Sequence, residues 1–220
     1  MKIYAQLNAI KAISHLSATK DIRFYLNGIL VEATKTHTTL VATDGHVLGV
    51  YKNEEENEIP EETKFEFILP NDTLKNLKSA IIKGELISLE FEPDETSKVN
   101  SVIIKSLSIT LTTQTIDAKF PDWRRVLPRE TTNELGHYNP ELPARFIKVA
   151  KEFGKKPDNI NLHQNGTSAA ALTIDGVENF MGVVMPTRHY IAYTGCSRFL
   201  DGQPVTQIDG KPVTHEALAA

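Results

Sequence analysis

The sequence predicts an α+β fold of antiparallel sheets, each backed by a helix. Three observations carry that expectation. One pattern, a strand, a helix and three more strands, recurs three times, with copies starting near residues 2, 65 and 135. Within each copy the apolar spacing switches from period two to the three-and-four spacing of a helix. Turn-forming pairs such as Asp44–Gly45, Asn165–Gly166 and Asp175–Gly176 separate neighbouring strand-like runs, as hairpins require.

The first copy opens with the strand "KIYAQ" and continues into a helix over Leu7 to Ala18. Leu7, Ile10, Ile13 and His15–Leu16 fall roughly on one face of it. Strands follow at "RFYLNGILVEA", "HTTLVAT" and "HVLGVYK". The second copy opens with "KFEFILP", and its helix spans Asn71 to Lys83 with Leu74, Leu77, Ala80 and Ile81 as the stripe. Asn71 or Asp72 can cap it. Its strands are "ELISLEFE", "SVIIKS" and "LSITLTTQT". The third copy opens near "NELGHYNP", and its helix runs from Glu141 to Phe153 and stops at Gly154. "NINLHQ", "TSAAALTI" and "ENFMGVVMP" complete it. Two such units can share a core back to back. A third is left with an apolar flank, for which another copy of the chain is the simplest cover.

The bulk numbers exclude several classes. A 220-residue chain that is 40% hydrophobic suits one large or two small globular domains, not disorder. No apolar run approaches the roughly 18 residues that span a bilayer. The N-terminus does not read as a signal peptide, and the single Cys196 fits a reducing cytoplasm. The net charge of −4 hides a sided distribution. Acids crowd "EEENEIPEETKFE", whereas "ARFIKVAKEFGKK" carries five bases against one acid. Such a face can hold a polyanion although the total is negative.

Between the second and third copies lies "FPDWRRVLP", Phe120 to Pro128. Its two prolines favour extended backbone, and Trp123, the sole tryptophan, can anchor the segment to a domain surface. Read alone, it is either a stiff connector or part of a site.

Taken together, "DIRFYLNGILVEA", "LVATDGHVLGV", "FPDWRRVLP" and "VVMPTR" resemble, in order and separation, the bacterial sliding clamp, the beta subunit of DNA polymerase III. The resemblance covers about residues 1 to 188. It implies a DNA clamp fold with antiparallel sheets outside and helices inside a ring. Residues 1–128 resemble the family's middle domain, with two βαβββ units. Residues 129–188 resemble the second half of its last domain, and residues 189–220 form a C-terminal extension without counterpart. The family's first domain, and the half domain that closes its dimer, are missing. Since the family ring holds twelve units, four chains of three would rebuild it, so a homotetramer is expected.

The resemblance implies duplex DNA, DNA polymerase and other clamp-binding peptides, and a clamp loader as partners. A sliding collar needs mobile positive charge without base readout. The candidates are Lys11, Lys20, Lys75, Lys78, Lys83, Arg145, Lys148, Lys151 and Lys155 on or beside the helices, with Arg23, Phe24 and Tyr25 in the loop that touches DNA in the family. Spacings of three and four place Arg145 to Lys155 on one helix face. Of Phe24 and Tyr25, one is expected to serve the core.

Family clamps tether partners through a short peptide in an apolar pocket. By position, one wall would be Leu26, Thr43, Gly45, His46, Leu48, Pro121, Arg125 and Val126. The other would be Val183, Val184, Met185, Pro186 and Arg188. Val47 and Thr187 depart from the family's usual arginine and methionine, which points to a shifted peptide preference. The tail repeats "DGQPVTQ" and "DGKPVTH" around β-prone pieces, and an added hairpin, an oligomer contact and a flap over the pocket are its alternatives.

Two other classes compete. Asp44, His46 and His37 could bind zinc, but the spacing is no known ligand signature. No phosphate loop, nucleophile elbow or CxxC is present, so neither catalysis nor a cofactor is expected. A clamp-like protein of a mobile element that binds clamp-partner peptides or a host clamp without encircling DNA is the second alternative.

Overall fold

The computed structural model describes residues 1–77, 85–107 and 109–187, together with 207–208 and 211–212. Met1–Thr187 form one compact body. Its first unit comprises β1 (Lys2–Gln6), α1 (Leu7–Ser14), β2 (Gly28–Thr34), β3 (His37–Thr43) and β4 (Val47–Asn53). The second comprises β5 (Phe65–Pro70), α2 (Asn71–Leu77 as described), β6 (Leu86–Glu90), β7 (Ser101–Lys105) and β8 (Thr110–Gln114). The third comprises α3 (Glu141–Glu152), β9 (Ile160–His163), β10 (Ala170–Ile174) and β11 (Phe180–Val184).

The units are knitted by exchange. The opening strand of each of the first two joins the sheet of the other. One sheet therefore runs β1-β6-β7-β8, and the second runs β5-β2-β3-β4-β11-β10-β9. Two backbone bonds lock the exchange reciprocally: Leu7 N–H donates to Glu85 C=O (2.8 Å) and Asn71 N–H to Asn27 C=O (2.9 Å).

The seven-stranded sheet crosses from the first unit into the third where β4 pairs antiparallel with β11. Gly49 faces Gly182 across that seam. A Cβ on Gly49 would strike Leu16 of the first unit, and one on Gly182 would strike the Phe146 ring of α3. Each glycine thus makes room for a side chain packed on its sheet.

Strand alternation sorts side chains into two cores. Ile29, Val31, Leu40, Ala42 and Val184 face the main core beneath the helices. Leu30, Val41, Leu48 and Val183 face a smaller cluster completed by Phe120 and Trp123. The connector thus covers the outer face of the sheet.

Three expectations change. The third unit has no opening strand, because residues 133–140 form none. That segment is held on its own unit: Asn133 N–H donates to Gln164 C=O, Gly166 N–H to Glu134 C=O, and Thr187 N–H to His137 C=O. The two opening strands that do form are each received by the other unit's sheet, and the third unit has no such twin among the described residues. Secondly, α1 ends at Ser14, not Ala18, and continues as single turns. There the Ser14 and Ser17 hydroxyls donate to the carbonyls of Lys11 and Ser14, offering the backbone an alternative to helix. Thirdly, "RFYL" is not strand: Phe24–Leu26 form a 3-10 turn before β2.

Helix α3 closes as its sequence predicts. Gly154 takes φ +72°. Lys155 N–H returns to Ala150 C=O and Gly154 N–H to Lys151 C=O, satisfying the last carbonyls. No helix among the described residues is long and apolar enough to cross a membrane. Arg188–Ala220 fall in a second body, in which β12 (Gln207–Ile208) pairs with β13 (Lys211–Pro212). The other tail expectations lie outside the described residues.

Candidate functional site

The turn between β3 and β4 is built by its own side chains. The Asp44 carboxylate accepts the N–H groups of His46 (2.8 Å) and Val47 (2.9 Å). The Thr43 hydroxyl accepts Gly45 N–H and donates to Val47 C=O. Gly45 adopts φ +95°, open to glycine at little cost. Met185 N–H, just past β11, donates to His46 C=O at 2.9 Å, so the third unit grips this turn directly.

Opposite the turn lies the connector. Trp123, 7% exposed, begins a 3-10 turn over Trp123–Val126. The Arg124 guanidinium stacks 4.1 Å from the Trp123 ring centre and forks onto the Glu32 carboxylate at 3.0 and 2.5 Å. Lys64 adds a third contact to Glu32 at 3.2 Å. Burial pushes the Glu32 carboxyl up, but Arg124 and Lys64 together outweigh it and hold the group below its ordinary value.

Between turn, connector and β11 opens a cavity of about 200 Å³. Leu26, Leu48, Val183, Val126 and Trp123 give it apolar walls, and Arg23, Thr43, His46 and Asp122 supply polar groups. Such a slot can bury aliphatic or aromatic anchors and orient them by a few hydrogen bonds.

Most expected pocket residues line this one cavity: Leu26, Thr43, Gly45, His46, Leu48, Pro121, Val126, Val183 and Met185. Val184 does not. It is fully buried in the main core, because side chains alternate along β11 and its neighbour Val183 faces the pocket. Arg125 is exposed and Pro186 half-buried, both outside the lining, and Arg188 lies outside the described residues. Sequence reasoning did not place Arg23, Tyr25, Val47, Asp122 and Trp123 in the wall. Asp122 and Trp123 lie within the quoted connector, whose proline-framed aromatic was the available signal.

The cationic candidates divide. Lys20 is exposed, with φ +57°, and Lys148 and Lys151 are exposed on α3. Lys11 is half-buried on α1. Lys75 is exposed but pairs with Asp72 at 2.7 Å. Lys78 and Lys83 lie outside the described residues. Lys155 sits beyond the end of α3, its amine against Gly176. Arg23 forks onto Asp21, holding that carboxyl down at about 2, and lines the pocket.

Arg145 departs most from expectation. It turns inward, bonded to the Asp44 carboxylate and to the carbonyls of His15 and Ser17. Of the aromatic pair, Tyr25 packs half-buried on the outer cluster and Phe24 is 56% exposed. The Asp44 carboxylate is bonded to Arg145, and no group of three or more metal-ligating side chains occurs among the described residues.

Residues 5–122 match the family model of the DNA polymerase III beta subunit, central domain. The chain is 29% identical over 191 residues to the beta sliding clamp of Buchnera aphidicola, covering 84% of this chain and 48% of that protein. It is 32% identical over 159 residues to the beta sliding clamp of Pseudomonas aeruginosa, covering 70% and 40%. The chain thus spans about half the length of the curated relatives it matches. Among solved structures, a sliding clamp from Pseudomonas aeruginosa with ligand superimposes with TM-score 0.64 at 18% identity, covering 86% of this chain and 66% of that one. Another clamp structure from that organism, bound to griselimycin, gives TM-score 0.60. These likenesses show the α+β clamp fold.

Proposed function

Because the chain belongs to the DNA polymerase III beta subunit family, we propose that it works as a sliding clamp, a cytoplasmic, non-catalytic collar for duplex DNA. A DNA polymerase and other proteins would dock on it by short peptides, and a clamp loader would place it. The observation that carries this reading is the apolar cavity at the β4–β11 seam, where the connector, the Asp44 turn and the third unit meet. Griselimycin, bound by the Pseudomonas aeruginosa relative, is proposed as a ligand of that cavity.

Two regularities of the molecule support a proposed assembly. Last strands pair antiparallel across a seam, as β4 does with β11. First strands after a helix receive an opening strand from a twin unit, as β2 and β6 do. Among the described residues the two sheets end at β1, β5, β8 and β9; β1 and β5 each carry an isolated bridge, Lys2 with Glu58 and Ile68 with Ile116, which leaves two edges without one. They are β8, a last strand, and β9, a first strand whose Ile160 and Leu162 are half-buried. By the same rules β8 pairs with β8 of a second copy. Likewise, β9 takes residues before α3 of another copy, including Leu135, which is 81% exposed. Alternating these contacts closes four chains into a ring of twelve units.

The test combines mass with topology. A tetramer that stays on nicked circular duplex and leaves when the circle is cut supports the collar. Monomer alone at micromolar concentration, or equal retention on linear DNA, rejects it. The bare β9 edge of the third unit among the described residues favours one other reading, a clamp-like peptide binder that never encircles DNA. That protein would bind griselimycin and show no topological retention.

A further inference from the structure

We propose that Arg145 is a positioning residue for the pocket and takes no part in holding DNA phosphates. This deepens the pocket reading and rests on it. Arg145 rises from α3 in the third unit, yet its guanidinium is spent on the first. Its Nε and Nη2 donate to His15 C=O at 3.1 and 2.8 Å, and Nη2 also reaches Ser17 C=O at 3.0 Å. Those carbonyls follow the end of α1, where no helix turn supplies donors. Nη1 donates to the Asp44 carboxylate.

A guanidinium has five N–H donors in a fixed fork. Turning this one to a phosphate would break contacts in a place where its side chain is only 25% exposed. Its partner is 19% exposed. Stripping a partly buried charge of its partner costs more than the pair contributes.

What Arg145 holds is the pocket mouth. The second oxygen of Asp44 accepts His46 and Val47 N–H, and Arg23 Nη2 donates to Asp44 C=O at 3.0 Å. The turn so fixed contributes Thr43, Gly45, His46 and Val47 to the cavity wall. Arg145 therefore links helix α3 to pocket shape through one carboxylate. Lys148, one turn further and exposed, is in position for phosphate where Arg145 is not.

Three measurements on the full chain decide it. First, griselimycin binding is compared in wild type, Arg145→Met and Arg145→Lys. Arg145→Met weakens it by about tenfold, and Arg145→Lys recovers part of the loss because an ammonium reaches Asp44 but cannot serve both carbonyls. Second, hydrogen exchange reads the amides of His46 and Val47, which lose protection in Arg145→Met. Third, the slope of log affinity for duplex DNA against log salt stays unchanged in Arg145→Met, while Lys148→Met reduces it by about 0.9.

A reduced salt slope in Arg145→Met, or wild-type protection of both amides, overturns the proposal. If wild type binds no griselimycin, the pocket reading fails, and the exchange measurement still decides the positioning. Should Arg145→Met not fold, Asp44→Asn and Arg145→Lys carry the same exchange test, with loss of protection expected in Asp44→Asn and intact protection in both fatal.

Discussion

The first two units and the third share a plan and differ in completion. In the first pair each opening strand crosses to the other's sheet, and each helix begins with a backbone bond to the twin, Leu7 to Glu85 and Asn71 to Asn27. In the third unit the matching groups turn homeward. Glu141 N–H donates to the Asn139 side chain, and Asn159 C=O accepts Asp175 N–H. Of the strands that receive exchange, β2 is almost wholly buried and β6 alternates with Ile87 and Leu89 buried, whereas every residue of β9 is half-exposed. Exchange, more than strand propensity, makes a unit whole here. The third is held instead by what it shares with the first: the β4–β11 ladder, the Arg145 bridge and the Phe146 ring.

The sharpest way to break that comparison is at Phe146, fully buried in the common core and packed over Gly182. Phe146→Ala is expected to cost about 3–5 kcal/mol in urea unfolding, because the cavity opens where the third unit is attached. A loss below 1 kcal/mol would mean that the third unit stands without the first. Next come the facing glycines. Gly182→Ala and Gly49→Ala each place a methyl against a packed side chain and should cost about 1–3 kcal/mol.

A third change sharpens the role of the connector. Arg124→Met leaves the Glu32 carboxylate, 6% exposed, with Lys64 as its one remaining cationic contact and should cost about 1–3 kcal/mol near neutral pH. Glu32 titrates below its ordinary 4.5 in the folded protein. Its stabilisation is therefore complete above that value and lost as pH falls through the lower folded one. The gap in melting temperature between variant and wild type should close in acid. A gap that widens would show that Arg124 acts through its Trp123 contact alone.

The smallest effect on the monomer is expected at Leu135. Leu135→Asp should leave monomer stability within about 0.5 kcal/mol, since the side chain is already in water. It should abolish self-association if this segment completes a partner's sheet. Unchanged oligomer mass would place that contact elsewhere.

Much of this was legible in advance. The helices begin at Leu7, Asn71 and Glu141, and β3 spans "HTTLVAT" from end to end. Those features depend on apolar period, prolines, glycines and short polar side chains, which act over a few residues. The pocket was legible through four motifs taken together, although alternation sends Val184 away from its neighbour Val183. What escaped depended on partners remote in the chain. Spacing along α3 grouped Arg145 with the lysines, and only the approach of α1 and the Asp44 turn showed that its donors are used internally.

The sequence by itself determined the recurring helix-backed sheets, the turns that separate their strands and the family to which the chain belongs. Only the tertiary structure decided which opening strands cross over, which sheet edges stay bare and which cation becomes a brace. The reason is range. Periodicity and turn chemistry are settled by neighbours in sequence, whereas a ladder bond or a buried ion pair needs a second group whose position nothing local can fix.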